Sequence, residues 1–371
     1  MNVRPRVAVV GTGTIGAMTL WQLARRGVPA VGFDRFAPGH DRGAAGGQTR
    51  IFRTAYREGA EYVPLLQRAQ ALWRELEMES DRRLLTLSGA LTIGPAEHPD
   101  VRAVLESARA YELDHELIGN ERFPQYPRGS DEIAVLDRQA GFLRPEVGVA
   151  IAAGRAEQLG ATIRRYAPVD AVEPAASGVR LHVDGAVEEF DHVVLAPGPW
   201  AGQLDLLTGF GPRARWLGIY WFPARDPRDF RPEDVPVAMR VGDSSFSCVP
   251  SLDEPGAKVL PRLGFPEIDD PAELPRTADV DSVAKTREMV AEHLPGLHPD
   301  PIRIGVYTDC FAPDDHAVVG PLPGHDTVTI MTGFSGHGFK LAPVFGEIAS
   351  ELVTEGTTKH DIAHLDPRRF A

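Results

Sequence analysis

Residues 6 to 34 leave few folds open to this chain. Val7-Ala8-Val9-Val10 is a short apolar run that reads as a buried strand, and Gly11-Thr12-Gly13-Thr14-Ile15-Gly16 follows it at once. Ala17 to Arg26 then carries Leu20, Leu23 and Ala24 at helical spacing. Gly27 ends that segment as a C-cap glycine does, and Val28 to Phe33 reads as a second strand that stops at Asp34. Strand, glycine turn, helix and strand within about thirty residues make a βαβ unit. Gly11 permits the tight turn, Gly13 lets a pyrophosphate approach the backbone, and Gly16 lets helix pack closely on strand. Thr14 and Ile15 open the helix, whose free N–H groups and positive dipole end suit phosphates. Asp34 stands 23 positions after Gly11, with Arg35 next to it, where a carboxylate can accept from a ribose 2′-OH. The unit predicts a bound dinucleotide; alone it does not separate FAD from NAD.

The remaining pattern extends this to an α/β fold class. It predicts a Rossmann-like dinucleotide domain, discontinuous in sequence, and an α+β substrate domain on a large mixed or antiparallel sheet. Expected helices cover Glu61 to Glu77, the segment from Pro145 through Gln158, Ser282 to Leu294 and Phe345 to Val353. Leu84 to Ile93 alternates as a strand pair would, Trp216 to Phe222 is aromatic and β-branched, and Val237 to Gly264 reads as further sheet. These segments assign 1–85, 145–215 and 310–371 to the nucleotide domain, and 86–144 and 216–309 to the substrate domain. The aromatic run Trp216, Tyr220, Trp221, Phe222 reads as sheet core.

Charge narrows the partners. A formal net charge of −13 over 371 residues repels nucleic acid and anionic membranes. Two cysteines, Cys248 and Cys310, exclude a disulfide scaffold and a four-cysteine zinc site, and fit a reducing cytoplasmic compartment. No apolar run reaches the ~18 residues of a membrane span. Met1 to Arg6 leads directly toward the first strand with no targeting segment. Asp314-Asp315-His316 does not converge on one ion, so no metal is expected; it reads as a loop docking near the cofactor.

Two further runs carry chemistry. In Thr49-Arg50-Ile51-Phe52-Arg53 the arginines could clamp a carboxylate bidentately and sit by a cofactor ring, or simply make surface ion pairs. Gly333-Phe334-Ser335-Gly336-His337-Gly338-Phe339-Lys340 follows a strand and precedes a helix. Its glycines let the backbone approach something flat, and its N–H groups and lysine could stabilise an anionic reduced flavin. His337 reads as structural. Lys258, flanked by apolar residues, reads as solvent-facing unless it points inward, where an ammonium would favour reduction of O2 to superoxide.

With these residues in hand, the chain resembles the monomeric sarcosine oxidase family, whose relatives include N-methyltryptophan oxidase, pipecolate oxidase and the amadoriases. The likeness spans nearly the whole chain. It is most specific at Gly43 to Gly59, at Tyr62-Val63-Pro64-Leu65, at Tyr307-Thr308 and at Gly333 to Lys340. It implies FAD, removal of a hydride from the carbon beside an amine nitrogen, and O2 as the acceptor, giving an imine and H2O2. By position, Arg53 and Lys340 match the family's carboxylate-holding pair, Arg50 the arginine beside the flavin, and Lys258 the oxygen-activating lysine. Tyr307 and Thr308 would lie beside flavin and pocket. Gln48, Thr49, Val169, Gly198, Trp200, Gly336, His337, Gly338 and Phe339 would contact the cofactor. The family leans to monomers.

The chain also departs from that pattern. The position of the family's tether cysteine is Gly305, and Cys310, five residues on, is about 16 Å away along an extended strand. FAD held without a covalent bond is therefore expected. A family histidine is Gly46, a pocket tyrosine is Ser247 and a pocket histidine is Arg262. Those changes predict a substrate larger than sarcosine, an N-alkyl or cyclic amino acid, with a second anionic group near Arg262. The rival readings are a flavin dehydrogenase, desaturase or monooxygenase of natural-product biosynthesis, and a nucleotide-binding module without catalysis. Lys258 argues against the dehydrogenase, Gly305 at the tether position keeps the desaturase or monooxygenase reading open, and Arg53, Lys258 and Lys340 together argue against a module without catalysis.

Overall fold

A computed structural model describes residues 5–370; the expectation about Met1 to Arg4 lies outside the described residues. Val7–Val10 forms the centre of a six-stranded sheet. In spatial order the strands are Val318–Leu322, His325–Thr332, His192–Leu195, Val7–Val10, Ala30–Phe33 and Thr162–Arg164. All neighbours are parallel except the first pair. Parallel central strands are buried on both faces, which is why they read as unbroken apolar runs rather than alternating ones. One face is covered by the helices Thr14–Arg25, Val63–Ser80, Pro145–Gln158 and Ala342–Glu355, which contribute Trp21, Trp73, Leu20 and Phe345 to the core. The other face packs on an antiparallel meander of Val169–Pro174, Val179–Val183 and Ala186–Phe190.

An eight-stranded sheet stands against this layer. Its order is Arg303–Phe311, Arg213–Pro223, Gly256–Pro261, Phe246–Pro250, Val237–Arg240, Ala90–Pro95, Glu132–Asp137 and His115–Leu117. One face builds its own core with Tyr220, Phe222, Phe246 and Val259, backed by the helix Val280–His293. The other face, with Leu217, Ile219, Trp221 and Tyr307, turns toward the nucleotide-binding layer. The six-stranded sheet draws on residues 7–33, 162–195 and 318–332, and the eight-stranded sheet on 90–137 and 213–311.

One expectation is corrected. Leu85–Thr86 and Ala90–Pro95 do not pair with each other. Gly89, at φ +87°, sends the chain from a small sheet with Gly141–Leu143 and Arg50–Phe52 into the eight-stranded one. The helix Pro99–Ala110 and the strand Glu132–Asp137 add elements that the sequence reading did not assign. Cys310 lies within the strand Arg303–Phe311, the extended geometry from which its distance to Gly305 was reckoned.

Candidate active site

Two cavities meet between the layers. The first, of about 300 Å³, is lined by the glycine turn and by elements far from it in sequence. Gly11, at φ +86°, lets the turn pass Ala196, whose carbonyl oxygen would lie 2.2 Å from a Cβ. A Cβ at Gly16 would lie 1.7 Å from the Gly11 oxygen. These two glycines are required by the protein's own packing. Gly13 differs: a Cβ there meets nothing within 4 Å, so its space is left for what binds. The helix that starts at Thr14 has no side-chain cap and no acid in its first turn, which leaves its N–H groups and dipole for an anion.

Of the residues expected to hold cofactor, Gly11, Gly13, Thr14, Ile15, Asp34, Arg35, Arg50, Val169, Gly198, Trp200, Gly336, Gly338 and Phe339 line this cavity. Thr14 Oγ1 and Trp200 Nε1 are buried and, among the described residues, have no hydrogen-bond partner. Buried polar groups are almost always satisfied, so these two fit a bound polar ligand such as FAD. Asp34 is less free than expected. It already accepts from Thr12 N at 2.6 Å, Thr12 Oγ1 at 3.0 Å and Phe36 N at 2.8 Å, and so pins the turn as well as facing the cavity. His40, Pro168 and Gln203, which the sequence did not single out, also line it.

The second cavity, of about 170 Å³, adjoins the first at Ala44, Arg50, Asp309, Gly336 and Phe339. Its walls carry Arg53, Lys258, Arg262 and Lys340 together with Arg57 and Arg240, against the carboxyls of Glu58 and Asp309. Arg53 Nη2 donates to both Glu58 oxygens, at 2.5 and 2.7 Å, and Arg57 Nε donates to the same carboxylate at 3.0 Å. Burial would raise the Glu58 carboxyl, but Arg53 and Arg57 outweigh it and hold it well below the usual range. Arg53 and Lys340 flank the Tyr56 ring, at 4.9 and 5.3 Å from its centroid. Lys340 Nζ donates to the His337 carbonyl at 3.0 Å. Burial and the neighbouring Arg53 lower it to about 7. His337 is held between Tyr56 Oη at 3.0 Å and the Asp315 carbonyl at 2.9 Å, as a structural histidine, and it borders the second cavity rather than the first.

Lys258 points inward, correcting the solvent-facing reading. It pairs across the sheet with Trp221 and Val249 and is 5% exposed. Its Nζ donates to the carbonyls of Gly47 at 3.1 Å and Thr49 at 2.5 Å, and burial lowers it well below the usual lysine range. Arg50 shares the same loop, donating to Thr49 O at 2.8 Å and Ala44 O at 2.6 Å. Glu146, unremarked in the sequence, fixes that loop by accepting from Gly47 N and Gln48 N.

Some expected site residues do not reach a cavity. Gly16, Gly46, Gln48, Gly305, Tyr307 and Thr308 line neither, and Thr49 lines only the second. Gln48 instead accepts from Trp221 Nε1, and the Thr308 hydroxyl donates to Arg215 O. Gly46 does not enlarge the pocket as expected. The Tyr307 ring fills the room: a Cβ at Gly46 would be 2.2 Å from it and one at Gly305 2.7 Å. Ser247 and Arg262 do line the second cavity. Cys310 lines the first; its thiol faces Thr332 Oγ1 at 3.6 Å and burial pushes it up to about 11. The Asp314–His316 turn packs on Tyr62 and Arg369 and lines neither cavity. No helix among the described residues is long and apolar enough to cross a membrane.

A family model described as FAD dependent oxidoreductase matches residues 6–352. The chain is 35% identical to monomeric sarcosine oxidase of Streptomyces avermitilis, over 98% of this chain and 97% of that one. It is 28% identical to N-methyl-L-tryptophan oxidase of Salmonella typhimurium, over 98% of each. Among solved structures, NikD, described as an unusual amino acid oxidase essential for nikkomycin biosynthesis, superposes with a TM-score of 0.84 at 23% identity, covering 98% of this chain and 97% of that one. At that identity the likeness concerns the fold. A glycine turn shaped for a dinucleotide, a cation-lined second cavity and full-length matches agree: the chain belongs to the FAD dependent oxidoreductase family and, within it, to the family of the monomeric sarcosine oxidase and N-methyl-L-tryptophan oxidase relatives.

Proposed function

We propose that this protein oxidises an amino acid at the carbon beside its amine nitrogen, with O2 as acceptor, on an FAD held without a covalent bond. The observation that carries the reading is the second cavity, where Arg53, Lys340 and Arg262 face a space bordered by the cofactor cavity at Arg50 and Gly336. Bound FAD would supply the two-electron acceptor, taking a hydride from the substrate carbon and passing the electrons to O2 as H2O2. The protein's part is positioning and electrostatics. Arg53 and Lys340 hold the substrate carboxylate, fixing which C–H faces the cofactor. Arg50 and Lys258 place positive charge where negative charge develops when oxygen is reduced. Ser247 leaves room for a side chain larger than that of sarcosine, and Arg262 suits a second anionic group on it.

The non-covalent part rests on Gly305, which offers no thiol at the tether position, and on the buried, protonated thiol of Cys310. The division into an FAD part and a substrate part at the sequence boundaries given above belongs to the same proposal. An anaerobic flavin-bleaching screen of N-methyl, cyclic and primary amino acids, followed by admission of air, tests the activity. Bleaching by an amino acid larger than sarcosine, with peroxide on reoxidation, is expected; no bleaching by any amine overturns it. Acid precipitation tests the attachment: yellow colour left in the pellet sinks the non-covalent reading.

A further inference from the structure

Asp309 is the one acidic side chain, among the described residues, that lines both cavities. It sits near the end of the strand Arg303–Phe311, opposite Arg215. Its Oδ1 accepts from Cys310 N at 2.8 Å and its Oδ2 from Gly336 N at 3.1 Å, which aims the carboxyl at the junction. The charged groups facing it are Arg50, on the strand Arg50–Phe52, and Lys340, beyond the glycine loop. It forms an ion pair with neither. Burial raises its carboxyl above the usual aspartate range.

The substrate cavity holds one other carboxyl, Glu58, which Arg53 and Arg57 already occupy. An amino acid bound through its carboxylate to Arg53 and Lys340 also brings an ammonium into a space crowded with cations. That charge is costly to bury unless an anion meets it. We infer that Asp309 receives the substrate's amine and takes one proton from it. This inference rests on the amine-oxidising reading and adds to it the group that prepares the nitrogen. The substrate N–H bond breaks and an Asp309 O–H bond forms. Nitrogen keeps the electron pair, so an ammonium–carboxylate pair becomes an amine and a carboxylic acid, with no further reagent. Burial favours that direction, because the transfer turns two buried charges into two neutral groups; it is also the largest effect on the Asp309 carboxyl and outweighs Arg50 and Lys340, which pull the other way. The neutral amine is the form whose lone pair can assist departure of a hydride from the adjacent carbon.

The test is Asp309→Asn, which keeps an acceptor for Gly336 N. The probes are the amine that bleaches the wild-type holoenzyme fastest in the screen above and the carboxylic acid in which CH2 replaces its nitrogen. Dissociation constants come from the anaerobic bleaching rate for the first and from perturbation of the flavin spectrum for the second. FAD content is measured on the same samples. Asp309→Asn is expected to retain FAD, to bind the amine about 10- to 100-fold more weakly, and to bind the nitrogen-free acid about as the wild type does. The acid limb of the pH profile for amine oxidation should move to higher pH, toward the ionisation of the amine itself. Unchanged amine binding and pH profile, equal loss for both probes, or loss of FAD each overturns the inference. If the wild type binds no amine at all, the amine-oxidising reading falls and this inference with it. If the wild type oxidises amines and the variant does so equally well, only the role of Asp309 falls.

Discussion

The two cavities solve opposite problems. The first holds its ligand mainly with backbone and small side chains: Gly11, Gly13, Ala44, Pro197 and Gly198 line it, and its shape comes from how closely glycine lets the chain pass itself. The second is lined with charge. Its arginines and lysines come from several separated segments, and their worth depends on how few carboxylates accompany them. A cavity of the first kind fails when an atom is added. One of the second kind fails when a charge is removed or titrated.

The largest effects should come from adding atoms to the turn. Gly16→Val is expected to yield no stable folded protein, because its Cβ would lie 1.7 Å from the Gly11 oxygen. Gly13→Val should fold but purify colourless, since its side chain enters only the space left for ligand. Circular dichroism and flavin absorbance on both variants separate the two glycines. A yellow Gly13→Val would break the contrast.

Removing a charge should act more gently, and on substrate alone. Lys340→Met is expected to weaken binding of an amino acid by about 2–5 kcal/mol while FAD content stays full. Stopped-flow bleaching against substrate concentration measures it. Titration should do the same reversibly. Lys340, lowered to about 7, is a cation below that pH and neutral above it, so the apparent KM should rise as pH increases through about 7. In Lys340→Arg the group stays protonated and the rise should vanish; a rise that persists would assign it elsewhere. The smallest effect belongs to Arg262, which is exposed at the rim and has no carboxylate partner. Arg262→Ala should cost about 0.2–1 kcal/mol, and only for substrates with a second anionic group. Parallel KM values for one such substrate and a neutral counterpart would show it.

Legibility in the sequence follows the same contrast. The turn could be read because its strand, glycines, helix and acid are contiguous, and each residue type answers a local geometric need. Arg50, Arg53 and Lys340 were found through short runs and a family likeness. The carboxylates around them were not, because Glu58, Glu146 and Asp309 carry no local pattern that separates a site carboxylate from a surface one. Gly46 was misread for a related reason. Its neighbour in space, Tyr307, lies far along the chain, and only the folded structure shows that the ring has taken the vacated room.

By itself the sequence determined the βαβ entry to the fold, the dinucleotide turn and the parallel core around Val7–Val10, because hydrophobic period, glycine and capping act over a few residues. Only the tertiary structure decided which way Lys258 points, that Thr14 and Trp200 keep unpaired polar atoms for a ligand, and that Asp309 stands where two cavities join. Burial and electrostatic balance are properties of what surrounds a side chain in space, and here those surroundings come from strands and loops hundreds of residues apart.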